Sequence, residues 1–515
     1  MMARRIVLII VVLLLAGIGL APILVMFARS ILVDGRLSLE FYRNLMASVR
    51  PWRLLGNSLV LACLTALLSA LLGVPLGIVL GKTDLPLRRL FTLLFTLPLL
   101  IPPYITALSW AGVLKRGGFL FGLSGCVLVL TSTFLPVVML GTMTYLRIIN
   151  SRLEEAARLA SHPLGVLRHI TLPLIRPGIL LASTLVFLLA FGEFGVPMFL
   201  RVDVFPVESF TQFSAFHNFG AATAAVVPMA ILTFAVLGAE WFFLRHRTYE
   251  LRPALGGDAA LLELGQCRPF LFVAVALLCL VIVVIPIFSL LVQSGSLGTY
   301  IRMLRVVGDS LIRSIAFAAV GATALTTVGF FVGYLIHTRV LAIWQAVDAW
   351  TVLLFALPST VIGIGLIALW NRPATNFIYA TPLMLLLGYL AQYTALTSRV
   401  TVAGLSLVPV SMEEAAASTG AGWVRRVSLI VIPLIGPTLL AGWLIAYIFC
   451  LRDTGIAMLV YPPGQDTLPV RIFTLMANGA PDLIAASCVL MIAATALPLG
   501  VLALVLQRYA RPSWQ

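Results

Sequence analysis

A charged, alanine-rich stretch occurs twice in this sequence: residues 151–178 read SRLEEAARLASHPLGVLRHITLPLIRPG, and residues 411–437 read SMEEAAASTGAGWVRRVSLIVIPLIGP. We call these stretches segment 1 and segment 2. Both begin with Ser-x-x-Glu, continue with alanines, pass through a break and end at a proline that leads into an apolar run. Such a pair indicates two copies of one unit, with a segment at the same place in each copy.

The composition around these segments is that of a membrane protein. Of the 515 residues, 61% are hydrophobic and 10% are charged, and the mean hydropathy is +1.09. Soluble domains have about 45–50% apolar and about 25% charged residues, because polar groups must cover their surface. The composition therefore excludes soluble, disordered and nucleic-acid-binding proteins. We interpret the net charge of +15 as a sign of membrane orientation and protein docking.

Apolar runs long enough to cross a membrane occur twelve times. A spanning helix needs about 20 mainly apolar residues, and such runs lie near residues 6–28, 54–81, 91–113, 123–146, 178–200, 222–244, 270–293, 310–336, 349–370, 380–398, 437–460 and 484–507. The first run is longer than the apolar region of a signal peptide, so we interpret it as an uncleaved span. An even number of spans places both termini on one side. We place that side in the cytoplasm, because more than half of the 34 Lys and Arg residues then lie there.

The two copies keep a nearly constant spacing. The motif LLFTLP at residues 93–98 returns as LLFALP at residues 353–358, an offset of 260, whereas Ser58 and Ser314 differ by 256. Six spans in each copy return the chain to its starting side. We therefore predict an all-α integral membrane protein with about twelve transmembrane helices in two parallel six-helix repeats. The predicted domains are a first span and outer loop (1–53), a first half (54–245), a cytoplasmic linker (246–268), a seventh span and outer loop (269–308) and a second half (309–508).

Each segment predicts a short helix that lies along the inner membrane face. The spacing of Ser151 and Glu154 lets the hydroxyl cap the third helical N–H while the carboxylate reaches back, and Ser411 and Glu414 repeat it. The carboxylate also lies at the positive end of the helix. Alanines then hold the helix with little side-chain bulk. Small side chains and charges would thus be presented to a partner in the cytoplasm.

Segments 1 and 2 resemble the EAA loop of bacterial ABC-type importer permeases, whose pattern is EAA-x3-G-x9-I-x-LP. Segment 2 matches this pattern at Glu414-Ala415-Ala416, Gly420, Ile430 and Pro433. Segment 1 matches at Ile170, Leu172 and Pro173, but its Glu155-Ala156-Ala157 lies one residue too close to the proline. We therefore keep the offset of 260, which pairs Glu154 with Glu414 and Ala160 with Gly420.

The resemblance implies a fold of the type I ABC importer (MetI-like) kind and a chain that forms the pathway of an ATP-driven importer. In such permeases the EAA loop is a coupling helix that binds an ATPase subunit. The implied partners are two copies of a cytoplasmic ABC ATPase, an extracytoplasmic solute-binding protein and membrane lipid, in a bacterial inner membrane. The implied coupling residues are Ser151, Glu154, Glu155, Ala156, Ala157, Pro173, Ser411, Glu413, Glu414, Ala415, Ala416, Gly420 and Pro433. Fused permeases of this kind most resemble ferric-iron importers, with thiamine, polyamine and phosphonate importers close behind.

The sequence has no complete pattern for binding ATP. Gly81-Lys82-Thr83 matches the end of a P-loop, but Leu76 stands where its first glycine belongs. We therefore expect no cofactor and no enzyme activity in this chain, with ATP bound by the partner subunit. The glycines instead fit a small-residue face for close helix packing, which consists of Gly73, Gly77 and Gly81 in the first half and Gly329 and Gly333 in the second.

Two acidic residues inside predicted spans are candidates for a role in transport. Glu193 and Asp453 keep the offset of 260, and charged groups within a span are costly enough to suggest a function. Glu193 lies 15 residues after Gly178, about 22 Å along a helix, in the outer part of its span. The two acids either face the central pathway or its outer gate, or they pair at a helix end, with Arg452 as a neighbouring partner for Asp453.

Three alternatives compete with this interpretation. Segments 1 and 2 could be amphipathic connectors that only seal the membrane surface. An ion-coupled secondary transporter would also have twelve spans in two halves and would use Glu193 and Asp453, but it leaves the two segments without a purpose. A membrane enzyme would need a cluster of catalytic residues that the sequence lacks. The five histidines and six cysteines have no metal-ligand spacing, so we expect no metal site.

Overall fold

The computed structural model of the protein describes residues 2–33, 36–114, 118–149, 151–160, 162–244 and 262–509. Helices account for almost all regular structure in these ranges. The two strands found there, β1 (Leu32–Val33) and β2 (Arg36–Leu37), form a short antiparallel pair. The predicted all-α class is therefore confirmed. Residues 245–261, which make up most of the predicted linker, lie outside the described residues.

The first half of the chain contains thirteen α-helices in the described ranges. They are α1 (Met2–Leu15), α2 (Ala21–Ile31), α3 (Glu40–Ala47), α4 (Val49–Lys82), α5 (Arg88–Thr96), α6 (Pro103–Val113), α7 (Leu123–Ile148), α8 (Ser151–Ala160), α9 (Pro163–Val166), α10 (Leu172–Phe191), α11 (Gly195–Phe199), α12 (Phe205–Ser214) and α13 (Phe219–Leu244). A π-helical turn at Ala16–Leu20 joins α1 to α2, and another at Leu167–Thr171 joins α9 to α10.

The remaining described residues repeat this order. They form α14 (Arg268–Cys279), α15 (Ile285–Gln293), α16 (Leu297–Thr338), α17 (Trp344–Ala356), α18 (Ser359–Trp370), α19 (Asn376–Tyr379), α20 (Leu383–Leu405), α21 (Val410–Ser418), α22 (Trp423–Arg426), α23 (Ile432–Leu434), α24 (Gly436–Arg452), α25 (Gly455–Val460), α26 (Leu468–Asn478) and α27 (Pro481–Tyr509). Their π-helical turns, Leu280–Val284 and Val427–Val431, stand at places that match the two in the first half. Short 3-10 turns lie at Leu97–Leu100, Gly265–Cys267 and Pro373–Thr375.

A helix or a bent pair of helices coincides with each of the twelve predicted apolar runs. Within the described ranges, eight helices are long and apolar enough to cross a membrane, and four bent helix pairs raise the number to as many as twelve. Two predicted spans, 91–113 and 349–370, are not straight. The chain bends by 106° between Leu100 and Pro103 and by 107° between Ala356 and Ser359. Prolines at 98, 102, 103 and 358 lack the N–H that would continue each helix.

A buried amide supports the second of these bends. Gln392 of α20 donates from Nε2 to the carbonyl oxygen of Leu357 at 2.9 Å, in the gap between α17 and α18. A backbone carbonyl that a helix break frees must find a partner, because an unpaired polar group in an apolar interior is costly. Gln392 therefore stabilises a break that the hydropathy pattern alone did not predict.

Contacts divide the chain into two compact units. The first-half unit comprises Ser48–Val207 and Pro228–Gly295, and the second-half unit comprises Met1–Ala47, Glu208–Val227 and Ser296–Gln515. Helices α1 to α3, at the start of the chain, therefore belong to the second-half unit. Helices α14 and α15, which precede the second half in the sequence, belong to the first-half unit. In the second-half unit, α18 packs on α2, where a Cβ on Gly365 would lie 3.3 Å from the backbone of Pro22. In the first-half unit, α14 packs on α5 through the rings of Phe91 and Phe272, 5.6 Å apart.

The small-residue faces lie at close helix contacts. In the first-half unit, a Cβ on Gly77 would lie 2.7 Å from the Met139 carbonyl oxygen of α7, and Gly73 and Gly81 face the same helix. In the second-half unit, a Cβ on Gly333 would lie 2.6 Å from the Ser398 carbonyl oxygen of α20, and Gly329 faces Thr397. Such close backbone approach increases dispersion contact, which is the main attraction between helices in lipid.

A repeated serine contact fixes the start of a helix in each unit. Ser58 of α4 accepts a hydrogen bond from the Phe205 N–H at 3.1 Å, and Ser314 of α16 accepts one from the Leu468 N–H at 2.6 Å. Both amides begin a helix and have no partner within it. The repeat predicted from the sequence thus extends to individual hydrogen bonds.

Candidate functional site

Segments 1 and 2 have the same order of elements but different turns. Segment 1 contains α8, α9, a π-helical turn and the start of α10, and segment 2 contains α21, α22, a π-helical turn and α23. Helix α8 continues to Ala160, whereas α21 ends at Ser418 and the chain reverses through Gly420, whose φ is +80°. A glycine adopts this left-handed conformation without the steric cost of a Cβ. Alanine at position 160 instead remains helical.

The first turns of the two helices differ from the prediction. Helix α21 begins at Val410, with Pro409 at the N-cap position and no side-chain cap. Ser411 therefore lies inside the helix, and the capping predicted for it is wrong. The side chain of Ser151 lies outside the described part of the structure.

A buried ion pair anchors segment 1. Glu154 of α8 is 2% exposed and forms an ion pair with Lys82, the last residue of α4, which is 3% exposed. Thr171 of the π-helical turn donates its hydroxyl to the same carboxylate oxygen at 2.7 Å. Two charges can be buried together only if they are paired and hydrogen-bonded. Glu154 therefore joins three elements of the first-half unit and does not face outward.

A different set of contacts anchors segment 2. Tyr334 of α16 donates its hydroxyl to Glu413 at 3.2 Å and accepts a hydrogen bond from Trp423 Nε1 at 3.1 Å. Arg426 donates from Nη1 to the Glu413 carbonyl oxygen at 3.4 Å. The guanidinium of Arg4 lies over the Tyr334 ring, 5.0 Å from its centroid. Glu413 itself is only partly buried.

The exposure pattern corrects the alignment of the two segments. Glu155 and Ala156 of α8 are exposed, as are Glu414 and Ala415 of α21. Glu154 faces inward in one helix and Glu413 in the other. Within the helices the offset is therefore 259, and the predicted pairing of Glu154 with Glu414 is wrong. The missing residue lies between the helices, because two sequence positions separate Ala160 from Pro163 whereas four separate Ser418 from Trp423.

The exposed surfaces of the segments contain most of the predicted coupling residues. Besides the two glutamates and their neighbouring alanines, Ser411, Gly420, Pro173 and Pro433 are exposed. Ala157 and Ala416 are partly buried. Each segment thus presents one exposed carboxylate beside an exposed alanine, while the other glutamate of the pair holds the helix in place.

Glu193 and Asp453 lie at helix breaks rather than inside continuous spans. Glu193 follows α10 and accepts hydrogen bonds from the N–H groups of Gly195 at 2.9 Å and Val196 at 3.4 Å. Asp453 follows α24 and accepts from the Ala457 N–H at 2.9 Å and from the Tyr393 hydroxyl at 2.8 Å. Each acid thus satisfies the first amides of a short helix, α11 or α25. The predicted spans 178–200 and 437–460 are interrupted here.

The family model for binding-protein-dependent transport system inner membrane components matches residues 73–244 and 326–515. The chain belongs to this family. Two matches in one chain make it a fused permease, and segments 1 and 2 each lie within one matched range. The permease is thus a multi-pass protein of the inner membrane, and the expectation of a membrane transport component is confirmed at the level of the family.

Ferric transport permeases are among its relatives. The permease is 24% identical over 397 residues to the Fe(3+)-transport system permease protein FbpB 2 of Haemophilus influenzae, covering 74% of this chain and 76% of that protein. It is 22% identical over 415 residues to the ferric transport system permease protein FbpB of Actinobacillus pleuropneumoniae, covering 74% of this chain and 60% of that protein.

Shorter matches include the putrescine transport system permease protein PotI of Escherichia coli, 32% identical over 126 residues, which are 24% of this chain and 45% of that protein. The chain spans 60% to 76% of the length of three ferric transport relatives, and less than two thirds for two of them.

Sequence reasoning missed the residues that anchor the two segments. Lys82 is one of two lysines in the chain, and a charge at the end of a long apolar helix was a signal for a buried partner. Tyr334 carries no comparable signal, since an aromatic residue near a span end is common. In the permease, Lys82 lies on α4 and Tyr334 on α16, the helices whose glycines pack closely on α7 and on α20.

The described end of the predicted linker contacts the Lys82 region. The Leu262 N–H donates to the Lys82 carbonyl oxygen at 2.8 Å, and the Leu264 N–H donates to Asp84 at 3.0 Å. Arg268 lies 3.7 Å from the same carboxylate. The chain that enters α14 is thus fixed beside the anchor of segment 1. Among the residues with described positions, no group of three or more His, Cys, Asp or Glu residues could hold a metal ion.

Proposed function

We propose that this permease forms the translocation pathway of an ATP-driven importer and that segments 1 and 2 each bind one copy of a separate ABC ATPase subunit. The observation that carries the proposal is the duplicated exposed surface of α8 and α21. Glu155 with Ala156, and Glu414 with Ala415, face away from the units, while Glu154 and Glu413 hold the helices. An exposed carboxylate beside a small side chain suits a protein groove lined with cations.

The proposal also assigns an orientation and a cargo. Both segments and both termini would lie in the cytoplasm, and an extracytoplasmic solute-binding protein would deliver the substrate. Ferric iron is the substrate class that we propose, because the relatives that match most of this chain are ferric transport permeases. ATP would be bound by the ATPase subunits, so that this chain contributes a docking surface and a pathway.

The decisive experiment exchanges the exposed charges. In the double variant E155R/E414R, the amount of ATPase subunit that copurifies with the permease is expected to fall at least tenfold, because two attractive contacts become repulsive. Glu263, an exposed acid outside both segments, supplies the matched control E263R, which is expected to copurify normally. Unchanged copurification of the double variant would refute docking through these surfaces.

Uptake of ferric iron by proteoliposomes with an ion gradient and no ATPase would favour the secondary transporter instead.

Glu193 and Asp453 complete the proposal as residues of the outer gate. Their positions at paired breaks support this role, because a break lets the short helices α11 and α25 move without unfolding α10 or α24. The variants E193Q and D453N keep an acceptor oxygen for the helix amides and remove only the charge. Reduced iron uptake with unchanged permease yield is expected, and normal uptake by the double variant would remove both acids from the mechanism.

A further inference from the structure

The helix that carries Arg4 packs directly on segment 2. Leu8, Val12 and Leu15 of α1 are buried in one apolar cluster with Tyr334, Trp423, Val427 and Val431. Trp423 begins α22, and Val427 and Val431 belong to the π-helical turn of segment 2. Helix α1 thus forms part of the surface on which segment 2 rests, although it is distant in sequence.

Arg4 adds a directed contact to this packing. Its guanidinium lies 5.0 Å from the centroid of the Tyr334 ring, within the range of a cation–π interaction. The hydroxyl of the same tyrosine donates to Glu413 at 3.2 Å and accepts from Trp423 at 3.1 Å. A continuous set of contacts therefore runs from Arg4 through Tyr334 to α21 and α22 of segment 2.

We propose that Arg4 is a positioning residue for segment 2. Its cation fixes the orientation of the Tyr334 ring, and the tyrosine hydroxyl then fixes Glu413 and, through it, the outward direction of Glu414. A sequence element that precedes the first half thus sets how the coupling surface of the second half is presented. The inference rests on the proposed function only where it concerns ATPase activity. The positioning of α21 is a property of the permease alone.

Arg5 provides a matched control. It has the same charge, lies at the next position in α1 and is exposed, whereas Arg4 is partly buried. If the basic residues of α1 act only by orienting the helix in the membrane, Arg4→Ala and Arg5→Ala will have equal effects. If Arg4 positions segment 2, Arg4→Ala will disturb that segment and Arg5→Ala will not. Arg4→Lys will then retain most of the wild-type positioning, because an ammonium group also binds an aromatic face.

The first measurement uses the permease without an ATPase. A spin label is attached at Ser418→Cys in segment 2 or at Leu159→Cys in segment 1, both exposed, after Cys63 and Cys267 are replaced by serine. Arg4→Ala is expected to increase label mobility at position 418 and to leave position 159 unchanged. Arg5→Ala should change neither. Equal mobility of the position 418 label in Arg4→Ala and Arg5→Ala would overturn the proposal.

The second measurement uses the permease with its copurified ATPase subunit in liposomes. Arg4→Ala is expected to lower ATPase turnover about fivefold with an unchanged KM for ATP, the loss that corresponds to one cation–π contact. Arg4→Lys should recover at least half of the activity. A label effect without any copurifying ATPase would support the positioning of segment 2 and refute the proposed function. A normal turnover in Arg4→Ala would refute the link to coupling.

Discussion

Segment 1 is held by a buried ion pair, whereas segment 2 is held by a tyrosine, a tryptophan and a partly exposed carboxylate. In segment 1 the two charges are almost fully removed from solvent, and Thr171 completes their hydrogen bonding. In segment 2 the corresponding turn position is occupied by Val431, and Glu413 receives its bond from the Tyr334 hydroxyl. Two copies of one motif have thus reached the same outward surface through different interior chemistry.

The two segments therefore share their exposed surface but not the buried contacts that hold it. Because both copies belong to one chain, each segment always occupies the same place, and a change in one anchor needs no matching change in the other. A buried ion pair is rigid, since loss of either partner leaves an uncompensated charge. A tyrosine hydrogen bond is weaker and tolerates small displacements. We therefore expect hydrogen exchange of the wild-type protein to be slower in α8 than in α21.

Removing the cation from segment 1 should have the largest effect. Lys82→Met leaves Glu154 buried without its partner, which costs about 3–5 kcal/mol, or more than a hundredfold in the local opening constant. Hydrogen exchange of the α8 amides is expected to accelerate by at least this factor, while α21 stays unchanged. The double variant K82M/E154M should recover protection, because an apolar pair of similar volume removes the stranded charge.

Arg89 controls for the loss of positive charge at this end of the first half. It is exposed and lies seven residues after Lys82, so Arg89→Met is expected to leave α8 exchange as in the wild-type protein. Equal acceleration by Arg89→Met and Lys82→Met would contradict the anchoring role of the ion pair.

The hydrogen bond from Thr171 should have an intermediate effect. Thr171→Val gives segment 1 the residue that segment 2 has at this place, and it removes one donor from Glu154 while Lys82 remains. A hydrogen bond to a charged group contributes about 1.5–3 kcal/mol, so exchange in α8 should accelerate at least tenfold. The control Thr92→Val removes a hydroxyl that donates to the Arg88 carbonyl in α5. An α8 exchange rate unaffected by Thr171→Val would show that the ion pair alone carries the anchor.

Sequence patterns predicted the helices and the two repeats, but they did not predict the buried contacts that anchor segments 1 and 2. Hydropathy predicted the apolar runs that the eight to twelve spanning helices occupy, and the offset of 260 predicted two repeats, because prolines, glycines and apolar runs constrain helix positions strongly. A one-residue deletion inside a turn changes neither signal, so the register of α8 against α21 was predicted incorrectly. The bends near Pro98 and Pro358 were missed because a window of apolar residues does not distinguish a straight helix from a broken one.

The anchors were harder to predict for a different reason. The ion pair joins residues 72 positions apart, and the tyrosine contact joins residues 79 positions apart. Both join a long apolar helix, α4 or α16, to a short helix that follows much later in the chain. A partner chosen by tertiary packing leaves little trace in local sequence. The exposed residues that we propose to bind the ATPase, in contrast, belong to one short helix and follow from the motif.

A substitution in the turn of segment 2 should have the smallest effect on hydrogen exchange. It tests whether the additional turn residue of segment 2 explains the difference in register between α8 and α21. Gly420→Ala places a Cβ on a residue whose φ is +80°, which costs about 1–2 kcal/mol. Gly422→Ala is the matched control, because that glycine is exposed, has a φ of −63° and has open space around its Cβ position. Hydrogen exchange of the α21 amides should accelerate about five- to thirtyfold in Gly420→Ala and stay unchanged in Gly422→Ala. Segment 1 has no glycine at this turn, so its protection should be the same in both variants. If Gly420→Ala instead left α21 unchanged, segment 2 could adopt the shorter turn of segment 1, and the left-handed glycine would not be what separates the two registers.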